Sequence, residues 1–166
     1  MYFDPSGNLP IWILIAAIML LTPVGGYALN ATITQASYLS HLVASIWDED
    51  IRHDMNLINW NPFNTNESLV IQSRKISYYK GAVVYRTNMN ASAGFGGIIL
   101  LSNKVNDNTH GHLHLRHEYG HVIQSRWLGI GTFGIIIGIP SIISIITDPG
   151  NHHNKWYERW ATSLGQ

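Results

Sequence analysis

Apolar positions are unevenly spread along the chain, and their spacing divides it into segments. "IWILIAAIMLL", Ile11 to Leu21, is an unbroken apolar run. A bilayer span needs about 20 residues, so this run reaches spanning length only if extended through "TPVGGYAL", where Pro23, Gly25 and Gly26 would kink it. A buried hydrophobic hairpin or a linker is the alternative. A signal peptide fits poorly, because the residues before the run hold Asp4 and no Lys or Arg. From "ASYLSHLVASIWDEDIRHDMNLINW" the pattern changes. Leu39, Leu42, Val43 and Ile46 follow the 3–4 spacing of an amphipathic helix. "NPFNTNES" is a turn cluster. Two strand candidates follow, one within "RKISYYKGAVVYRTN" and one at "GFGGIILLS", Gly94 to Ser102.

"NDNTHGHLHLRHEYGHVIQSRWLG" predicts a helix, with Asp107, Asn108 or Thr109 as N-cap and Gly129 as the stop. Residues 128 to 147 carry no charge but contain four glycines and Pro140. They fit a buried helical pair, a hydrophobic lid or a short membrane span. "DPGN" is a turn, and "HNKWYERWATSLG" predicts a last helix ending at Gly165, with Trp156 and Trp160 as its core-facing stripe.

The 166 residues suffice for a domain with its own core. Charged residues make up 12%, about half of the roughly 25% usual in soluble domains. Residues 5 to 47 contain no Asp, Glu, Lys or Arg at all. Both facts fit membrane contact, through 11–29 and 128–147, or a piece cut from something larger. Net charge is zero, so no nucleic-acid partner is expected. Without cysteine there is no disulfide and no thiolate metal site. Any metal must be held by His, Asp or Glu.

Five of the nine histidines fall within His110 to His121. Among them, His117-Glu118-Tyr119-Gly120-His121 matches H-E-x-x-H. On a helix, residues i and i+4 share a face, so both imidazoles reach one zinc ion while Glu118 stands beside it. Zinc lowers the pKa of a bound water to about 7 and polarises a carbonyl. Glu118 takes the water's proton and passes it to the leaving amine. A catalytic zinc usually has three protein ligands. The candidates for the third are Glu158, His152, His153 and Asp148, with Glu158 preferred. His152, His153 and Tyr157 are alternatively placed to hydrogen-bond an oxyanion, although Tyr157 also reads as a buried aromatic. His110, His112 and His114 read as a polar helix start. Tyr119 is expected in the core, and Gly120 where another backbone approaches the helix.

"HEYGH", followed by "VIQSRWLG" and "GIPSIIS", resembles a metallopeptidase domain at the C-terminal ends of Rhs/YD-repeat polymorphic toxins. "WYERWATSLG" resembles the end of the same domain, and "YFDPSGNLP" the DPxG-type sequence that closes the repeat core. The resemblance covers residues 76 to 165 and, more loosely, 2 to 10; it does not place 30 to 75. It implies an α+β, zincin-like fold: a small, mostly antiparallel sheet, an active-site helix, and a C-terminal helix with the third ligand. Residues 1–30 would be the end of the repeat core and a hydrophobic segment, and 31–166 the peptidase domain. It implies zinc on His117, His121 and Glu158, Glu118 as base, and a substrate-pairing edge strand at Gly96, Gly97 and Ile98. It also implies a secreted or delivered bacterial effector, a peptide or protein substrate, and an immunity protein. Many members of the glutamate-ligand class carry an Asp four residues after the ligand Glu, buttressing a zinc histidine. Here that position is Thr162, so the buttress is expected elsewhere, at Asp148 or Asn151. The competing functions are a membrane-active or translocation module with the histidines as a metal or pH trigger, and a metal-binding fold without hydrolytic activity.

Overall fold

The computed structural model describes residues 11–44, 46–47, 76–105 and 109–166. Within them the chain is a mixed α+β fold, mostly helical, with one small four-stranded sheet. The N-terminal apolar stretch forms two helices, α1 (Ile11–Leu21) and α2 (Pro23–Ala44). Thr22 makes the break. Its Oγ1 accepts the Gly25 amide at 3.1 Å, capping α2, and Pro23 follows as first helical residue, where its missing N–H costs nothing. The expected boundary between residues 30 and 31 falls inside α2. Leu39, Leu42, Val43 and Ile46 are exposed rather than packed. The buried residue on this turn is His41, whose Nδ1 lies 2.9 Å from Tyr78 Oη. Residues 48 to 60 of the expected helix, and the turn cluster after them, lie outside the described residues.

The sheet is small and mixed, with two of its three strand pairings antiparallel and one parallel. Strands β1 (Ile76–Tyr79), β2 (Ala82–Thr87), β3 (Ala93–Phe95) and β4 (Ile98–Ser102) lie in the order β1-β2-β4-β3. β1 and β2 form a tight hairpin through Lys80 and Gly81, both at positive φ, as the primed hairpin turns require. β4 then inserts between β2 and β3, parallel to the first and antiparallel to the second. The predicted single strand Gly94–Ser102 is thus two strands, reversed at Gly96 and Gly97, whose φ values of 52° and 87° suit glycine.

Helix α3 (Thr109–Leu128) lies across the sheet. Leu115, Tyr119 and Val122, at 4-3 spacing, pack onto Tyr79, Val84, Ile99 and Leu101 to form the main core. Tyr119 meets Tyr79 edge to face at 5.3 Å. Gly129 ends α3 as expected, with φ at 77°; two of the three N-cap candidates, Asp107 and Asn108, lie outside the described residues. Residues 130 to 147 form a single helix, α4 (Ile130–Thr147), with a π turn at Gly134–Gly138. There Ile139 N–H bonds back to Gly134 rather than to the residue four before it. Pro140, next in line, has no N–H to give, so the ladder changes register where it would break anyway. A 3₁₀ turn (Pro149–Asn154) leads into α5 (Trp156–Gly165), which packs along α3. Trp160 joins a second cluster with Phe133, Ile137 and Tyr157. Trp156, expected beside it in the core, is 54% exposed.

Candidate metal centre

The site forms where α3, α4 and α5 meet. Glycine sets the spacing at two of its contacts. A β-carbon at Gly120 would overlap the Ala161 carbonyl, so only glycine lets α3 and α5 approach this closely. A β-carbon at Gly94 would overlap the Glu118 carbonyl in the same way, drawing β3 onto α3. The expectation of a backbone approach at Gly120 is met, by α5.

This approach brings His117, His121 and Glu158 together. Nε2 of His117 and Nε2 of His121 each lie 3.0 Å from the same oxygen, Glu158 Oε2. One ligand atom from each residue falls within 4.8 Å of the others, the arrangement a bound cation requires. Glu158 is 1% exposed and His121 7%.

The surrounding hydrogen bonds decide which nitrogen is left for a metal. Gln124 is fully buried; its Nε2 donates to the Tyr157 carbonyl at 2.9 Å, so its Oε1 is the atom that accepts His121 Nδ1–H at 2.7 Å. Thr162 donates its hydroxyl to the Glu158 carbonyl at 3.0 Å and accepts His117 Nδ1–H at 2.9 Å. With both Nδ1 atoms engaged as donors, both neutral rings turn an Nε2 lone pair toward Glu158. Three acceptors then face one another in a buried space, which is unfavourable unless a cation or protons sit between them. Two imidazoles and a carboxylate make a donor set that could hold a metal ion, with orientation supplied by the residues behind them.

The electrostatics agree. Burial pushes the Glu158 carboxyl up, but hydrogen bonds from His117, His121 and Ser141 together outweigh it and hold Glu158 well below the usual carboxylate range. Burial pulls His121 down, and its bond to Glu158 with the charge of Glu118 more than reverses this, leaving it raised. In the absence of a metal, protons take over part of the cation's role.

Glu118 is 4% exposed and does not join the three-residue cluster. Burial raises its pKa, against the opposing pull of His121 and His117 and a hydrogen bond from the Gly94 amide. Its Oε1 lies 3.5 Å from His114 Nε2. A carboxylate of raised pKa beside a cation site is suited to accept and return a proton.

A cavity of about 490 Å³ opens onto these groups. His117, Glu118, His121 and Glu158 lie on its floor, with β3 along one side and α4 along another. His152 and His153 border it from the 3₁₀ turn. His152 is buried, with Nε2 3.5 Å from Glu158 Oε1 and Nδ1 2.6 Å from Ser144 Oγ. His153 is exposed, its ring 6.1 Å from that of His117.

Other expected residues stand apart. Tyr157 does not border the cavity; its hydroxyl donates to the Pro140 carbonyl at 3.0 Å, which corrects its reading as an oxyanion donor. Gly96, Gly97 and Ile98 do not border it either. Gly96 N–H bonds Ser125 Oγ, Gly97 O accepts the Val83 amide, and Ile98 lies in β4 inside the sheet. The edge strand along the cavity is β3, Ala93 to Phe95. Asp148 and Asn151 hydrogen-bond each other, and Asp148 pairs with Lys155 at 2.9 Å; neither supports a histidine of the cluster. That role belongs to Thr162, the very position at which an Asp was missed. His112 is exposed, His110 has no described side chain, and His114 reaches the cavity.

Sequence reasoning also overlooked Gln124, Ser141 and Ser144. Ser141 donates to Glu158 Oε1 at 2.6 Å, and Ser144 contacts His152. Two signals were present: Gln124 lies three residues after His121, and the two serines share a 3-residue spacing inside an otherwise apolar helix. No family model, no curated protein and no solved structure matches the chain.

Proposed function

We propose that the chain is a zinc-dependent peptidase of zincin-like architecture. One observation carries the reading: His117 Nε2 and His121 Nε2 converge on Glu158 Oε2 with Glu118 alongside, at the floor of an open cavity. Zinc held there would polarise a peptide carbonyl and acidify a water. The chain's own residues do the remainder. Glu118, poised upward by burial, takes a proton from the attacking water and returns it to the departing amine. An extended substrate would align with β3, the edge strand beside the cavity, whose Gly94 amide donates to Glu118. His152 borders the cavity beside the cluster and would donate from Nε2 to the substrate oxygen in the tautomer selected when the Ser144 hydroxyl turns from the Ser141 carbonyl to Nδ1. Gln124 and Thr162 keep His117 and His121 facing inward.

The test is cleavage of a fluorescently labelled casein by the zinc-loaded chain beside Glu118→Gln. The reading predicts hydrolysis in the wild type and loss of at least a hundredfold in the variant, at equal zinc content. Equal cleavage by both would remove Glu118 from the mechanism. Zinc binding with no cleavage across a broad peptide library would favour a metal-binding fold without hydrolytic activity.

A further inference from the structure

α4 has two faces of opposite character. Its inner face carries Phe133, Ile137, Ser141 and Ser144, the serines bonded to Glu158 and His152. Its outer face carries Ile135, Ile139, Ile143 and Ile146, which are 68%, 55%, 52% and 74% exposed. Only 17% of this 18-residue helix is buried. An exposed surface of branched aliphatic residues this long marks a site that something apolar covers. We propose that the outer face of α4 beds into the surface of a lipid bilayer, and, resting on the peptidase reading, that the metal centre acts on polypeptide presented there.

The pattern of charge fits that occupant. No Asp, Glu, Lys or Arg occurs from Leu128 to Thr147, and charges resume just beyond, at Arg126 on one side and at Asp148 and Lys155 on the other. The apolar surface continues onto α1. Thr132 Oγ1 on α4 approaches the Leu21 carbonyl, and α1 carries Leu14, Ile15 and Ile18 at 55%, 54% and 45% exposure.

The inner face fixes the mode of binding. Ser141 and Ser144 serve a polar centre that needs water, so lipid cannot surround α4 on all sides. The helix, roughly 27 Å long at 1.5 Å per residue, lies along the interface with one face immersed, as amphipathic interfacial helices do. A segment of this chain is a poor alternative cover: residues 48 to 75 hold Asp48, Glu49, Asp50, Arg52 and Asp54, and no apolar run longer than Leu69 to Ile71.

The experiment is vesicle flotation of the full chain carrying Glu118→Gln, with neutral phosphatidylcholine vesicles at low and high salt. Ile139→Asp and Ile146→Asp are compared with Ser163→Asp, at an exposed position of α5. Circular dichroism and a cooperative thermal transition report that each variant has folded. The proposal expects flotation independent of salt, a bound fraction at least tenfold lower in both Ile variants, and no change in Ser163→Asp. It is overturned if the chain does not float, if the Ile variants float as well as their parent, or if binding needs anionic lipid and fails in salt. It is also overturned if the face proves to join two copies, seen as a dimer that Ile139→Asp converts to monomer without any vesicle binding. Because hydrolysis plays no part in this assay, loss of the peptidase reading and loss of the docking face give separate signatures.

Discussion

Replacing Gly120 by alanine tests the helix contact that builds the site. Considered as a helix substitution alone, Gly120→Ala should stabilise α3 by roughly 1 kcal/mol. The packing argues the other way. The added methyl would overlap the Ala161 carbonyl, which is backbone in the middle of α5 and has no rotamer to change. Relief requires α3 and α5 to separate. Overfilling a packed contact typically costs about 1–3 kcal/mol, and more where the neighbour is rigid. After the propensity gain is subtracted, a net loss of roughly 0–2 kcal/mol is expected, toward the upper end because the neighbour is backbone, or up to about 8 °C in Tm for a chain of this size. The effect on the metal should be larger in proportion. His117 and His121 ride on α3 and Glu158 on α5, so separation opens the distance between the ligands. Metal sites hold their ligand distances to about 0.2 Å, and zinc affinity should fall at least tenfold. The assays are thermal unfolding with and without zinc and a competitive zinc titration. A Gly120→Ala chain that melts higher than wild type and keeps its zinc affinity would refute the account of how α3 and α5 meet.

Three further outcomes are expected. Gln124→Met and Thr162→Val each free one imidazole to turn, and each should weaken zinc binding by about 10–100-fold while Glu118 and the cavity remain in place; unchanged affinity in a competitive titration would show that the rings need no such support. Without metal, stability should peak between about pH 4.5 and 6.5. Glu158 is depressed below 4.5, so its contribution is present above that value and is lost as pH falls through its folded pKa. His121 is raised above 6.5, so its contribution is present below that value and is lost as pH rises through its folded pKa. Glu118, raised by burial, pulls the optimum toward acid. Zinc should remove the alkaline loss, and a metal-free chain whose denaturation midpoint is the same at pH 5.5 and pH 8 would contradict this. His152→Ala should lower kcat with KM and zinc content preserved; loss of zinc instead would make His152 a ligand.

The candidate site was more legible than the fold around it. His117, Glu118 and His121 follow from helical periodicity alone, because their relation is local. Glu158 lies 37 residues beyond His121, and what joins them is a glycine contact at Gly120 whose partner helix no local pattern names. The second layer was misread for a related reason. Asp148 and Asn151 are the stronger hydrogen-bonding residues by type, but Thr162 sits one helical turn after Glu158 and therefore on the correct face. The sheet was misjudged at Gly96 and Gly97. Two adjacent glycines within an apolar run mark a reversal, and reading through them merged an edge strand with an inner one. The periodicity of Leu39, Leu42, Val43 and Ile46 is real, but it describes an exposed face of α2, since spacing shows which residues share a side and not what that side meets.

The most direct measurement is zinc content by mass spectrometry on the purified, reconstituted chain beside His121→Ala and Glu158→Ala. The account predicts about one zinc per chain in the wild type and its loss in both variants. A wild type that takes up no zinc, or a Glu158→Ala chain that keeps it, would contradict the three-residue centre.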